Sequence, residues 1–378
     1  MIKLQTVTIL AMAYSDFYPA RLPAVFEGLR VLTKPGVRGF PGVDPAQALL
    51  VQTLLGRGDL EPPLLDLTAM SGLAGVALPD LQPTLLERSR AALSVLEAQK
   101  LCAVRGVPGE LEGEYGTVWA VLPAERGNDA VLEVLENALR LTRPGGRCFL
   151  AGDKDKGFER YFKWARARFG EGETLERQKG WRVAGLRRLE AGETPQRDLG
   201  FGTYALEGLT VAALPGVFSR GGLDAATGLL LEHLPDPSGL RVLDLGAGAG
   251  VLSAWAAARG AAVTALEDDW GAVLSSRETL RRSALEGEVL HSDVASALGP
   301  GARFDLAVSN PPFHVGSDLV LDVAEAFIEA AACHLEPGGN FFLVANVFLA
   351  YERVLERFFK VREVARTRGF KVLAGQRH

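Results

Sequence analysis

Arg241-Val242-Leu243-Asp244-Leu245-Gly246-Ala247-Gly248-Ala249-Gly250 decides the fold. Its first half is an apolar strand, three glycines spaced G-x-G-x-G follow, and Val251 to Arg259 then reads as a helix. A glycine turn from a first strand into a first helix lets the backbone approach a ligand closely, as in dinucleotide sites. The spacing differs from the G-x-G-x-x-G suited to a pyrophosphate, and an acid precedes it. Outward from this stretch, Ala262 to Glu267 is a second strand closed by an acid, and Glu288 to Val294 a third with Asp293 at its end. A carboxylate at Asp244 suits the ammonium of an amino-acid ligand, one at Glu267 both hydroxyls of a ribose, and one at Asp293 an adenine amino group. Singly, each acid also fits a solvated loop residue or a helix cap. Three acids and a glycine loop at successive strand ends point instead to one ligand edge of an open α/β sheet.

A fourth apolar strand, Phe304 to Val308, runs into Ser309-Asn310-Pro311-Pro312-Phe313-His314. Two prolines forbid further ladder or helix bonding, and a residue before proline is pushed out of the helical region. Asn310 and Pro311 are therefore expected to be extended, with carbonyl groups pointing outward. The Asn310 side-chain oxygen and the Pro311 carbonyl can each accept one N–H of a planar amino group, while Phe313 offers a ring face for stacking. The same residues also suit a strand terminator followed by a core phenylalanine.

With 378 residues, 48% hydrophobic and 23% charged, the chain is long enough for two globular domains. A formal net charge of -5 argues against indiscriminate coating of nucleic acid and leaves room for a local basic face. Cys102, Cys148 and Cys333 lack metal or redox spacing and read as small buried hydrophobes in a reducing cytosol. The apolar run from Val7 to Ala13 is short and carries no plausible cleavage site. No stretch is long enough to span a membrane, so a cytoplasmic protein is expected, with no metal constellation.

The first half resembles the second. Leu64-Leu65-Asp66-Leu67-Thr68-Ala69-Met70-Ser71-Gly72 aligns with Val242 to Gly250, and Pro144-Gly145-Gly146 before Cys148-Phe149-Leu150 matches Pro337-Gly338-Gly339 before Phe341-Phe342-Leu343. A tandem duplication follows: an α/β chain of two Rossmann-like domains, expected at 1–190 and 191–378. Thr68 and Met70 replace Gly246 and Gly248, and Leu122-Pro123-Ala124-Glu125 replaces Ser309 to Pro312, so the first copy reads as degenerate, with a structural or substrate-binding role. Between Lys154 and Arg188, eleven Lys and Arg stand against five Asp and Glu, interleaved with Phe158, Tyr161, Phe162, Trp164, Phe169 and Trp181. Such a segment suits a surface meeting phosphates and bases, with Arg166 and Arg168 as candidate RNA contacts; it equally suits an amphipathic helix with its aromatics in the core.

The second half is similar to the class I S-adenosylmethionine-dependent methyltransferases, and within them to ribosomal RNA guanine-N2 methyltransferases of the RsmC/RlmG type. Beyond the glycine loop, the resemblance rests on Pro215-Gly216-Val217-Phe218-Ser219-Arg220 with Gly222-Leu223-Asp224, on Asn310 to His314, on Val344 to Leu349 with Tyr351, and on Gly369 to Val372. It implies S-adenosyl-L-methionine as cofactor, S-adenosyl-L-homocysteine as product, Phe218, Ser219 and Asn310 as further cofactor neighbours, and a degenerate first domain. It also implies a flipped guanine over Phe313, its amine bridged by Asn310 and the Pro311 carbonyl beside Pro312, with His314 against the base or structural. The stretch after Asn346 is closer to the small-subunit members, which makes 16S rRNA in the small ribosomal subunit the expected partner. Adenine N6, glutamine N5 and 23S rRNA guanine remain alternative acceptors for such a motif, and an RNA-binding assembly factor without turnover is the alternative class.

Overall fold

The computed structural model describes residues 21–189, 199–312 and 319–378, the side chains of 319–322 excepted. Two compact units emerge, Arg21–Gly200 and Phe201–His378. The boundary expected between 190 and 191 falls within 190–198, outside the described residues, as does the apolar run from Val7 to Ala13.

The first unit opens with the hairpin β1 (Leu22–Phe26) and β2 (Leu29–Thr33), then α1 (Pro45–Leu55), β3 (Leu64–Asp66), α2 (Leu73–Ala77), β4 (Thr84–Glu87), α3 (Arg90–Ala98) and β5 (Ala103–Arg105). It closes with β6 (Tyr115–Val121), α4 (Asn128–Leu141), β7 (Thr142–Asp153), α5 (Phe158–Phe169), β8 (Gly170–Gln178) and β9 (Trp181–Arg188). The second unit repeats the plan: hairpin β10 (Gly202–Leu206) and β11 (Leu209–Ala213), then α6 (Ala225–Leu231), β12 (Arg241–Leu245), α7 (Val251–Ala257), β13 (Ala262–Glu267), α8 (Trp270–Arg282) and β14 (Glu288–His291). Its remaining elements are β15 (Phe304–Ser309), α9 (Leu319–His334), β16 (Leu335–Asn346), α10 (Glu352–Leu355), β17 (Phe359–Arg366) and β18 (Phe370–Arg377). The sheets have seven strands each, ordered β5-β4-β3-β6-β7-β9-β8 and β14-β13-β12-β15-β16-β18-β17. These matching orders establish the duplication as two tandem Rossmann-like units.

In the second sheet β12 to β16 pair in parallel and β18 runs antiparallel between β16 and β17. Parallel strands need helical crossovers, which cover both faces, so central strands are apolar throughout rather than alternating. Leu243 and Leu245 accordingly pack with Phe327, Ile328 and Ala331 of α9. Val242, Leu306 and Val308 pack on the other face with Ala226 and Leu230 of α6 and Leu252 and Trp255 of α7. From β12 the strand order runs one way to β13 and β14 and the other way to β15, which puts the switch point between β12 and β15.

Hairpin β10–β11 lies outside that sheet, and β11 would leave donors unpaired on its free edge. Three hydroxyls spaced four residues apart, two on α8 and one at its C-cap, satisfy them: Ser283 takes Thr210 N–H at 3.0 Å, Thr279 takes Ala212 N–H at 2.9 Å, and Ser275 takes Leu214 N–H at 3.0 Å. This fastens the segment that leads into Phe218 and Ser219.

Two local expectations are corrected. The cysteines are not all buried: Cys148 is, on central strand β7, where burial raises its thiol pKa, whereas Cys102 in a connection and Cys333 on α9 are exposed. Four aromatics of α5 are not surface residues: Phe158, Tyr161, Phe162 and Phe169 are buried in the core because they recur on one helix face, whereas Trp164 is half-buried with Arg168 over its ring. Among the described residues no helix is long and apolar enough to cross a membrane, and no group of three or more His, Cys, Asp and Glu is arranged to hold a metal ion.

Candidate functional site

Asp244 is the penultimate residue of β12, and its side chain is fully buried. Oδ2 accepts from the Ser253 hydroxyl at 2.6 Å, while Oδ1 is buried without a hydrogen-bond partner. Burial pushes its pKa up to about 7; the Ser253 hydrogen bond opposes this and the nearby Glu267 charge adds to it. An orphaned carboxylate oxygen is costly unless something completes it, and a cationic group does so best.

The loop that follows is held to the next strand end. Gly246 and Ala247 donate to the Leu266 carbonyl at 2.9 and 3.2 Å. Glu267 accepts from Gly248 N–H at 2.8 Å through Oε2 and from Asp269 N–H at 3.0 Å through Oε1. Gly248 has φ 56° and no atom within 4 Å of where a Cβ would stand. These features fit S-adenosylmethionine: an unpaired acid for its ammonium, open backbone beside the loop, and an acid at the second strand end for its ribose.

Asp293 lies two residues beyond β14 rather than on it, in a turn where its N–H donates to the Ser296 hydroxyl at 3.1 Å and Val294 has φ 52°. Between the second and third strand ends sit two rings that sequence reasoning missed. His291 packs edge-on against Trp270 with ring centroids 5.4 Å apart, and its Nε2 lies 2.7 Å from the Asp268 carbonyl oxygen. The available signal was an aromatic three residues after the strand-ending acid.

The Asn-Pro-Pro turn is set by β15. Ser309 donates to the Leu245 carbonyl at 2.7 Å, tying the ends of β12 and β15 together. Asn310 follows, its Nδ2 donating to Thr227 Oγ1 at 2.9 Å and to Asp224 Oδ2 at 3.2 Å. Asp224 also caps α6, accepting from Thr227 N–H at 3.0 Å. Pro311 is buried and Pro312 exposed; Phe313 and His314 lie outside the described residues. Val217 packs with Ala249 and Val251 next to the glycine loop, which leaves Phe218 54% exposed and Ser219 at φ 61°. Burial, with the Asp224 charge, pushes the Tyr204 phenol up to about 12, so it stays protonated near neutrality.

The structure thus gathers Phe218, Ser219, Asp244, Gly246, Gly248, Gly250, Glu267, Asp293, Asn310, Pro311 and Pro312 in the second unit. Arg166 and Arg168 belong to the first. There, on α5, both are exposed, with the Arg168 guanidinium 3.9 Å from the centroid of the Trp164 ring and Arg166 5.9 Å from that of Phe162.

The first unit keeps more of the site than its loop sequence suggests. Glu87 ends β4 and accepts from Met70 N–H at 2.7 Å, as Glu267 does from Gly248, and Met70 holds φ 51° despite its side chain. Its polar groups are nevertheless paired within the unit. Asp66 Oδ1, the counterpart of the orphaned Asp244 oxygen, accepts from Thr68 N–H at 2.9 Å, and Thr68 Oγ1 accepts from Val121 N–H at 2.8 Å. Arg38 joins Asp44 at 2.8 Å to Glu125 at 3.0 Å, two ion pairs standing where the second unit has Asp224 and the Asn-Pro-Pro turn.

Residues 208–374 match the family model of the methyltransferase small domain. Over 243 residues the chain is 40% identical to the ribosomal RNA small subunit methyltransferase C of Klebsiella pneumoniae, covering 63% of this chain and 69% of that protein; that of an Enterobacter species matches equally. A solved structure of the T. thermophilus 16S rRNA N2 G1207 methyltransferase, RsmC, in complex with AdoMet and guanosine, superposes with a TM-score of 0.89 at 42% identity, over 97% of this chain and all of that one. With this likeness running through both units, the chain belongs to the ribosomal RNA small subunit methyltransferase C family of S-adenosylmethionine-dependent enzymes.

Proposed function

We propose that the second unit transfers the methyl group of S-adenosylmethionine to the exocyclic N2 amine of a guanine in 16S rRNA, at the site corresponding to the one named for the Thermus relative, in the cytoplasm. The observation that carries this reading is the pairing of β12 with β15, which sets Asp244 opposite Val308 and so brings the glycine loop and Asn310 to one switch point. S-adenosylmethionine, when bound, supplies an electrophilic methyl on a sulfonium. Asp244 takes its ammonium, Glu267 its ribose hydroxyls and Asp293 its adenine amine, with Phe218 and Ser219 alongside. Asn310 Oδ1 and the Pro311 carbonyl accept the two N–H of the guanine amine, Phe313 stacks on the base, and His314 borders it. Held so, the N2 lone pair leaves conjugation with the ring and aligns with the methyl carbon. An N–C bond forms as the C–S bond breaks, its electrons staying on sulfur to give S-adenosyl-L-homocysteine, and N2 then loses one proton to water.

Labelled methyl from S-adenosylmethionine, offered with unmodified 16S and 23S rRNA, free and as assembled subunits, is expected in N2-methylguanosine of small-subunit RNA. Label on adenine N6, on protein glutamine or on 23S rRNA would overturn the assigned acceptor.

The buried acid gives a pH signature. With its pKa near 7 instead of the ordinary 3.8, Asp244 holds a proton in the ligand-free fold up to that pH. It favours the folded state fully below 3.8, and that contribution disappears as pH rises through 7. An ammonium beside Asp244 favours the carboxylate, so binding expels the proton below pH 7. Affinity for S-adenosylmethionine is expected to rise from pH 5 to 7, with proton release measurable by calorimetry in buffers of different ionisation enthalpy. Asp244→Asn should abolish that release; persistence would assign the proton elsewhere.

The first unit is assigned to RNA binding and structure, with Arg166 and Arg168 as phosphate contacts. Reversing both charges should weaken binding to small-subunit RNA, lower the slope of log affinity against log salt by about 0.9 per lost contact, and leave cofactor affinity unchanged. An unaltered salt slope would make α5 merely an amphipathic core helix.

A further inference from the structure

We infer that Asp224 and Thr227 are positioning residues that fix the orientation of the Asn310 amide and so decide whether its oxygen or its NH2 faces the acceptor amine. The inference rests on the proposed amine transfer and goes beyond it, because neither residue touches the acceptor in that reading.

An asparagine amide can turn over at little cost unless its surroundings distinguish its two ends. Here they do. One amide N–H goes to Thr227 Oγ1 at 2.9 Å and the other to Asp224 Oδ2 at 3.2 Å. An ionised carboxylate can only accept, so it must face the NH2. The threonine hydroxyl follows, because its own proton is directed to Asp224 Oδ2 at 3.4 Å, leaving a lone pair for Asn310. With both amide protons engaged, Oδ1 has no hydrogen bond among the described residues and is presented as an acceptor. Turned over, the amide would aim two donors at an amine that itself donates two, and its oxygen at a carboxylate. Asp224 achieves this across 86 residues from the start of α6, and α6 packs through Ala226 and Leu230 against Val308, two residues before Asn310.

Asp224 also caps α6, so alanine would confuse positioning with folding. Asparagine caps a helix about as well as aspartate, which makes Asp224→Asn the informative change: the cap remains and the requirement for a donor on Asn310 is relaxed. Single-turnover methyl transfer to small subunits is expected to slow by roughly 10- to 100-fold, the loss typical of a misplaced reacting group, with KM for S-adenosylmethionine and for subunits held within about threefold. Thr227→Val should behave similarly, and Thr227→Ser should recover the rate.

The decisive comparison is a swap. Asn310→Asp alone sets two carboxylates against each other and should be nearly inactive. The Asp224→Asn/Asn310→Asp double variant restores a donor–acceptor pair of opposite polarity and leaves a carboxylate oxygen toward the amine, so it should exceed the Asn310→Asp single variant by at least roughly tenfold. Full rate in Asp224→Asn, a parallel loss of binding and rate, or a double variant no better than Asn310→Asp would each overturn the inference. Wild-type protein runs alongside: if it transfers no methyl to guanine, the proposed function fails instead.

Discussion

Replacing Asn310 with alanine is expected to slow methyl transfer by roughly 10²- to 10³-fold, the loss seen when one preorganised hydrogen-bonding group is removed from a reacting centre. The side chain stands at the end of β15, where Pro311 and Pro312 stop the ladder, and its oxygen is left without a partner among the described residues. Its stability role is small by comparison. Without the amide, Asp224 still caps α6 through Thr227 N–H, and the lost bonds are partly accessible to water, a change of about 1 kcal/mol. The cofactor groups also survive, since Asp244 and Glu267 are held by Ser253, Gly248 and Asp269. The expected result is therefore a protein that melts near the wild type, binds S-adenosylmethionine within about threefold of it, and barely transfers methyl. Rapid-quench transfer to small subunits, paired with calorimetric cofactor binding, checks both halves. A variant that retains a large part of the rate would reduce Asn-Pro-Pro to a strand terminator, the alternative that the residues alone permit.

How far the site was legible depended on distance along the chain. The strand–glycine–helix turn at Asp244 to Gly250 and the acid closing the next strand are local signals, and both landed where they were expected. The bond between Asn310 and Asp224 spans 86 residues and has no local signature; only the fold reveals why the Gly222-Leu223-Asp224 stretch belongs to the acceptor side. In α5 the sequence did carry the answer. Phe158, Tyr161, Phe162, Ala165 and Phe169 follow a helical period, and that period accounts for their burial while Arg166 and Arg168 stay on the exposed face. Glu87 escaped notice for a different reason: its equivalence to Glu267 is expressed through a backbone bond to a left-handed residue, and Met70 in place of a glycine hides that conformation.

Gly250→Ala is expected to destabilise the second unit severely, whereas Gly248→Ala, two residues away in the same loop, should spare the fold and damage cofactor binding. Both glycines have left-handed φ, 78° and 56°, which costs an L-residue roughly 1–2 kcal/mol. Their surroundings differ. A Cβ at Gly250 would meet the Ser276 Cα at 2.9 Å and its Oγ at 3.0 Å, so α8 itself must move. Forcing atoms into a packed interface adds roughly 1–3 kcal/mol, for a combined loss of about 2–5 kcal/mol. The damage would spread, because α8 also carries the hydroxyls that hold β11 and the Ser276 hydroxyl that binds the Gly248 carbonyl. At Gly248 nothing lies within 4 Å, so the fold bears only the conformational cost, and the added methyl stands on the open side of the loop assigned to the cofactor. The first unit provides an internal control. Met70 occupies the Gly248 position with a side chain and keeps the same left-handed turn, while Gly72 remains at the Gly250 position, where a Cβ would meet Leu96 Cδ2 at 2.4 Å and Leu101 Cδ1 at 2.6 Å. The third glycine thus answers to packing in both units and the second to a ligand in one. Thermal unfolding without cofactor should show a large drop for Gly250→Ala and a small one for Gly248→Ala, with cofactor affinity of the latter down by tenfold or more, roughly the loss expected where a site depends on close backbone approach. Equal melting temperatures for the two variants would mean that the loop does not divide its glycines in this way.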